Sequence, residues 1–266
     1  LDQDPILLLL RHLGGPLGEE GSALLALARG WHRVGPGTEL FRQGGTAGTL
    51  FLLRRGWAKR HCNLPDGRTQ VLDFVLPGEV SDVAAIMARR HDHACTTLTE
   101  AEVGVVHSDA LFAELERRPR LRALLWWLSL AQGASMRQRV VSMGSRTARE
   151  RVCGLLWEIH QRLRRVGFAT DRSFHLPIRQ RDLADAAGLT PVHTSRTLRA
   201  LETDGLVRLE RDSVRIPDVA ALEREAALDD ADLFLDGLPD DFPWRLFEAV
   251  HQPMQNGNTD MERAEF

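Results

Sequence analysis

Arg196, Arg199, Arg211 and Arg215 stand, with Thr190 and Ser195 among them, where they could grip a polyanion. All lie in the stretch GLTPVHTSRTLRALETDGLVRLERDSVRI, from Gly188 to Ile216. An arginine fork can span the O6 and N7 acceptors of guanine in a major groove, with discrimination of about 1–3 kcal/mol per good pair. Hydroxyl groups can hold phosphate oxygens, and a helix N-terminus favours an anion. On a helix from Val192 onward, Val192, His193, Ser195, Arg196 and Arg199 fall on or near the face opposite Leu198 and Leu201. Arg196 is therefore assigned to base reading, and Thr190, Ser195 and Arg199 to phosphate or mixed contacts. His193 has no fixed role, and Arg211 and Arg215 can touch the flanking backbone. The bland alternative is a solvated, arginine-bearing helix face.

The neighbouring residues supply what such a face needs for its position. RQRDLADAAG reads as a helix with Leu183, Ala184 and Ala187 inward. Gly188 can take a left-handed conformation without Cβ cost, Thr190 is a good N-cap and Pro191 a good first helical residue. The second helix ends at Gly205, and LVRLE and SVRI form two short strands around Arg211-Asp212. Helix, turn, helix and hairpin make a winged helix-turn-helix. Upstream, RTARERVCGLLWEIHQRLRRVG is a helix burying Val152, Leu155, Leu156 and Ile159, with a hinge expected at Gly144-Ser145. Before the hinge, Leu121, Leu124, Leu125, Leu128 and Ala131 form one face of a long helix, and Trp126 and Trp127 lie beside it. A helix apolar on more than one side needs a second partner, and self-association is the simplest. The other possibility is a helix packed wholly on its own domain. From Trp31 to Val106, Gly- and Pro-containing turns recur between short apolar runs, as in a small antiparallel roll.

Charge is partitioned along the chain. The 266 residues carry a formal net charge of −3, with 34 Lys/Arg against 37 Asp/Glu. From Glu223 to the end there are 12 acidic residues and three arginines, which leaves 31 basic against 25 acidic residues elsewhere. Between Gly144 and Pro217, 14 Arg face 9 acids. A local excess of this kind is what an anionic polymer meets within a Debye length. The acidic tail, with Leu233, Phe234, Phe242, Trp244 and Phe247, is expected either to fold back over the basic surface and temper its affinity or to extend into solvent. No apolar run is long enough for a membrane span, and the first residues do not read as a signal peptide. Three widely spaced cysteines, Cys62, Cys95 and Cys153, give neither a disulfide framework nor an iron–sulfur quartet, and fit a reducing, cytoplasmic setting.

A second group of chemistry-bearing residues is His91, His93 and Cys95. On a strand the three would share one face, a possible effector pocket compatible with metal or haem ligation. No further ligands are visible in the sequence, so no cofactor or metal is expected and unliganded packing is the simpler reading. Nothing marks Cys62 or Cys95 as a low-pKa redox thiol. The chain carries no P-loop, dinucleotide fingerprint, HExxH or GxSxG, and an enzyme is not expected.

The order of roll, long helix, hinge and winged helix resembles the Crp/Fnr family of bacterial transcription regulators. The likeness rests on LRRGWAKRHCNLPDGRTQVLDFVLPGE, TARERVCGLLWEI and IRQRDLADAAGLTPVHTSRTLRALETDGLV, and covers about Trp31 to Ile216. It implies an α+β chain: a cyclic-nucleotide-binding-like β-roll in residues 1–118, a dimerisation helix in 119–143, a winged helix-turn-helix in 144–222 and an acidic extension in 223–266. It also implies a homodimer on an inverted repeat of double-stranded DNA, with RNA polymerase as a further partner. Many family members carry Glu where Val192 stands, so the half-site sequence does not transfer. Matched without gaps, the ribose-binding Glu of cyclic-nucleotide-binding members falls at Val83, and their phosphate-binding Arg-Ser pair at His93-Ala94. Cyclic AMP is therefore not expected as the signal. The alternatives are a ligand-free dimer controlled by its abundance, and a small-molecule or redox sensor acting mainly through protein contacts with weak DNA binding.

Overall fold

A computed structural model of the chain describes residues 3–15, 19–228, 230–239, 241–244 and 247. The apolar run near the start forms α1 (Pro5–Gly14), capped by the Asp4 carboxylate on the Ile6 N–H, and α2 (Glu20–Leu27) follows. The roll has one sheet of β1 (Trp31–Val34), β7 (Ala101–His107) and β3 (Thr49–Arg55), in that order. Its other sheet runs β2 (Glu39–Phe41), β6 (Ala94–Thr97), β4 (Ala58–Asn63), β5 (Thr69–Val75). All pairings are antiparallel. A register shift between Arg60 and His61 turns both side chains out of water, where simple alternation would bury one of them.

The Pro77-Gly78 turn precedes the next helix, α3 (Val83–Ala88), and meets two other parts of the chain. Gly78 has φ +91°, and a Cβ there would come within 2.8 Å of the Pro5 carbonyl oxygen and of Val166 Cγ1. Only glycine fits this conformation and this approach.

After α4 (Ser108–Arg117), the long helix α5 begins at Pro119 as expected, but runs to Ser145. Gly144-Ser145 is its last turn rather than a hinge. The break falls at Arg146-Thr147, because Thr147 starts α6 (Ala148–Arg165) with a capping box: Thr147 accepts from the Glu150 N–H, and Glu150 accepts from the Thr147 N–H. The stripe assigned to self-association also needs correction. Leu121, Leu124, Leu125 and Leu128 are buried within the subunit against Ile6, Leu10, Leu24 and Leu111, and Ala131 is half-buried. The apolar α1 covers them, which the sequence reading did not include as a helix. The side of α5 open to solvent carries Trp126, Arg137, Val140 and Val141 instead.

Val152, Leu155, Leu156 and Ile159 of α6 are buried, and so are Cys153, Trp157 and His160 on its other sides. One continuous core joins Trp57, Val71, Phe74 and Leu76 of the roll to this helix, so the two halves of the chain are packed together. The winged helix follows: β8 (Ser173–His175), α7 (Gln180–Ala187), α8 (Pro191–Thr203), β9 (Arg208–Glu210) and β10 (Ser213–Arg215), its sheet ordered β8-β10-β9. It closes with α9 (Val219–Ala226), so the boundary expected at residue 222 falls inside a helix. Ala226, Leu228 and Leu233 are buried in the same core. Beyond them the chain passes along α1 and α5: the Leu238 N–H donates to the Leu13 carbonyl at 2.8 Å, and Phe242 and Phe247 bury Ala123. Two acids of the extension pair with arginines of the basic segment, Glu225 with Arg149 at 2.7 Å and Asp230 with Arg165 at 2.8 Å. The rest of the acidic extension lies outside the described residues. Among the described residues, no helix is long and apolar enough to cross a membrane.

Candidate nucleic-acid interface and effector cavity

Local sequence places α8 with little freedom. Gly188 ends α7 in the left-handed region (φ 64°, ψ 38°), where its N–H bonds back to the Asp185 carbonyl and the Leu189 N–H to that of Ala184. Thr190 then caps α8, its Oγ1 accepting from the His193 N–H at 3.2 Å, and Pro191 occupies the first turn. The hydroxyl proton of Thr190 remains available for a phosphate oxygen. Thr194, Thr197, Leu198 and Leu201 anchor the inner face.

The outer face is the expected one. Val192 is 81% exposed, Arg196 and Arg199 are exposed, and His193 and Ser195 are half-buried at the flanks. On the wing, Arg211 lies in the β9–β10 turn and Arg215 on β10, both exposed. Among the described residues, Arg196, Arg199, Arg211 and Arg215 make no side-chain hydrogen bond or ion pair. Arg60, Arg139 and Arg162 are consumed internally, so the fold separates structural arginines from available ones. An exposed, unpaired guanidinium on a helix of this geometry can take a guanine edge or a phosphate.

The internal arginines form a site that sequence reasoning missed. Asp73 of β5 takes Arg60 Nη1 and Arg162 Nη1, each at 2.9 Å, and Arg139 Nη2 lies at 4.0 Å. Arg139 also holds Glu158 at 3.1 Å, and Arg162 reaches Glu158 at 2.9 Å. Burial alone would raise the Asp73 carboxyl, but Arg162, Arg60 and Arg139 outweigh it and hold the group below its ordinary value. Glu158, with fewer cations and Asp73 nearby, is pushed up by burial. Arg60 and Asp73 face each other across the β4–β5 hairpin, but Arg139 comes from α5 and Glu158 and Arg162 from α6, so no single local motif announces the set.

Beside this cluster lies a cavity of about 440 Å³ between the roll and α5, with Asp73, Asp82, Asp92, His93, Arg90 and Gln132 in its wall. The expected pocket residues divide. His91 and His93 precede β6, and both ring against Phe41, with centroids 4.0 Å and 5.4 Å away. Cys95 is fully buried among Phe41, Leu53 and Val75, and burial raises its thiol pKa to about 12. It does not join the histidines as a ligand. In its place stand Asp82 and Asp92, which the His-Asp-His run and the nearby Ser-Asp could have drawn attention to. Val83 opens α3, and Ala94 is fully buried. The cavity wall thus mixes three carboxylates with Arg60, which is bound to Asp73, and Arg90.

Comparison with known proteins agrees with the two halves of this arrangement. The sequence profile of the cyclic nucleotide-binding domain matches residues 31–118, and that of the Crp-like helix-turn-helix domain matches residues 150–225. The nitrogen fixation regulation protein FixK of Azorhizobium caulinodans is 30% identical over 189 residues, 70% of this chain and 75% of that protein. The transcriptional activatory protein AadR of Rhodopseudomonas palustris is 28% identical over 195 residues, 73% of this chain and 80% of its own. The solved structure of FixK2 from Bradyrhizobium japonicum has the same fold, with a TM-score of 0.66 at 23% identity over 75% of this chain and 98% of that one. The chain belongs to the Crp/Fnr family, and it is a DNA-binding transcription regulator of that type rather than an enzyme.

Proposed function

We propose that the protein acts in the cytoplasm as a homodimer that reads an inverted-repeat DNA site with one α8 per subunit, and meets RNA polymerase there. The observation that carries the DNA reading is the outer face of α8, where Arg196 and Arg199 are exposed and unpaired beside Val192. Arg196 contacts a base edge, while Thr190, Ser195, Arg199 and the wing residues Arg211 and Arg215 position the helix on phosphates. Val192 cannot accept a hydrogen bond from a cytosine amine, and favours a thymine methyl. The second copy packs on the open side of α5, where Trp126, Gly133, Arg137, Val140 and Gly144 follow a heptad spacing. The signal is not a cyclic nucleotide: His93 and Ala94 stand where the phosphate-binding Arg-Ser pair of cyclic-nucleotide-binding relatives would fall, and Asp82 and Asp92 add negative charge to the cavity wall.

Selection of bound sequences from random duplex DNA tests the reading, with Arg196→Ala as control. An enriched inverted repeat that is lost in the variant supports it. Enrichment of a single half-site would refute the dimer, and enrichment unchanged by Arg196→Ala would refute the assignment of Arg196.

A further inference from the structure

The acidic extension crosses the side of α5 on which the second copy is placed. It arrives on the α1 side, where the Leu238 N–H donates to the Leu13 carbonyl at 2.8 Å. There the Arg120 guanidinium donates to the Gly14 carbonyl at 2.7 Å and lies over the Trp244 ring, 5.2 Å from its centre. Phe242 and Phe247 cover Ala123, which is fully buried. Phe247 reaches the α4 side. Its ring lies 5.2 Å from that of Trp126, and its carbonyl accepts from Arg122 Nη2, while Arg122 Nη1 donates to the Leu115 carbonyl of α4 at 3.0 Å. At about 100° per residue, Arg120, Ala123, Trp126 and Arg122 follow one another around the helix in that order. The chain therefore passes over the solvent side of α5, from α1 to α4.

This crossing is packed. The Phe242 ring lies 5.4 Å from that of Phe247 and meets Trp244 edge-on at 4.8 Å. Phe242 and Phe247 are both buried, so apolar surface removed from water holds them in place. Further along the same side, Gly133 and Gly144 continue the spacing that begins at Trp126. A Cβ on Gly144 would meet nothing within 4 Å, and one on Gly133 only Arg137 Nη1, at 3.2 Å. Neither glycine is required by packing within the subunit, and both allow a second helix to come close. Interdigitated helices run about 8–10 Å apart, axis to axis, a gap that holds their side chains but not a third backbone. A segment laid across Ala123 and Trp126 takes the space of a second α5 at that end.

We propose that the strap carrying Leu238, Phe242, Trp244 and Phe247 competes with the second copy for the Trp126 end of α5. Pairing along the whole helix then requires the strap to leave. The inference rests on the placement of the dimer on the open side of α5. With the strap in place, the stretch from Gly133 to Gly144 is the part left to pair. With the strap gone, Trp126 is free to face its counterpart across the two-fold axis. One subunit engages only half of an inverted repeat, so the strap sets the protein concentration at which the site fills. A strap closed half of the time on each of two subunits weakens the dimer about fourfold, because both must be open.

The test uses the full chain with Trp244→Ser or Phe247→Ser, each removing one aromatic contact of the strap and leaving every residue of α5 unchanged. Sedimentation over a dilution series gives the dimer constant, and thermal melts check the fold. Each change should tighten the dimer by about fourfold or more, and DNA carrying the inverted repeat should fill at correspondingly lower protein concentration. Val140→Arg, added to each variant, should return it to monomer. A dimer constant that neither change tightens, with Val140→Arg still monomeric, overturns the strap and leaves the interface standing. A dimer that persists in the presence of Val140→Arg overturns the placement of the interface, and the competition with it.

Discussion

Arg162 of α6 grips Glu79 of the roll with two parallel bonds, Nε to Oε1 and Nη2 to Oε2, each at 2.7 Å. The same guanidinium donates to the Phe74 carbonyl at 2.6 Å and to Asp73 at 2.9 Å. A residue of the first helix after the break is thereby fixed to the roll at three places. A second link runs from Lys59 of β4 to Asp182 of α7 at 2.6 Å, and Gln70 donates to the Asp185 carbonyl at 2.9 Å. The helix-turn-helix is thus tied to the roll on both sides of their shared apolar core.

Arg162→Ala should destabilise the chain by about 3–5 kcal/mol, because half-buried Glu79 would lose its cation and buried Asp73 and Glu158 would each lose one of the arginines that neutralise them. Denaturant unfolding measures it. Lys59→Ala is the contrasting case, since Lys59 is partly exposed and its pair should contribute about 1 kcal/mol or less. Equal losses for both variants would contradict a cluster that bears on the docking of the two halves.

Arg196→Ala should relax sequence preference at one position of each half-site, with a loss of about 1–3 kcal/mol against the preferred base. Arg215→Ala should weaken all sequences alike and make binding less dependent on salt. Binding isotherms between about 50 and 200 mM salt distinguish the two roles. A flatter salt dependence for Arg196→Ala with unchanged specificity would move Arg196 to the phosphate group.

Legibility in the sequence followed the range of the interactions. Gly188, Thr190 and Pro191 act on the backbone within a few residues, so the turn, the cap and the start of α8 could be read directly. The outward set on α8 followed from helical spacing once Leu198 and Leu201 were placed inside. The stripe on α5 was legible as a stripe, but not its partner. Leu121 and Leu125 are covered by α1, a segment 100 residues away whose apolar run looked featureless. Alternation put Cys95 with His91 and His93, yet β6 starts only at Ala94, so strand geometry did not apply to the histidines. Arg60, Asp73, Arg139 and Arg162 meet only in three dimensions, and in sequence each looked like ordinary surface charge.

Acidification below about pH 7 should weaken the fold. His160 is fully buried in α6, with Nε2 3.0 Å from the Thr170 carbonyl, and its burial lowers its pKa below the ordinary 6.5. The bond to the Thr170 carbonyl opposes this, Arg164 lowers it further and Asp171 opposes, with burial prevailing. His61, buried on β4, is shifted the same way by burial and Lys59. The unfolded chain therefore binds protons that the folded chain refuses, and stability present above 6.5 is lost as pH falls toward the folded values. Thermal melts between about pH 7 and pH 5 should show this fall. His160→Gln, which can still donate to Thr170, should make it shallower. An unchanged slope would mean that His160 does not carry the effect.

The two sides of α5 should respond differently to substitution. Val140 is 72% exposed, so Val140→Arg removes little packing within the subunit and places a charge on the side open to a second copy. It should leave the melting temperature near that of the parent, and shift sedimentation from dimer to monomer. DNA affinity should fall with it, because one subunit engages only half of an inverted repeat. Leu125 is 2% exposed inside the subunit. Leu125→Ala should instead cost about 2–5 kcal/mol of folding stability through the cavity it leaves. At concentrations where the chain is folded, it should not change the dimer constant. A dimer that survives Val140→Arg but dissociates in folded Leu125→Ala would return the interface to the leucine stripe.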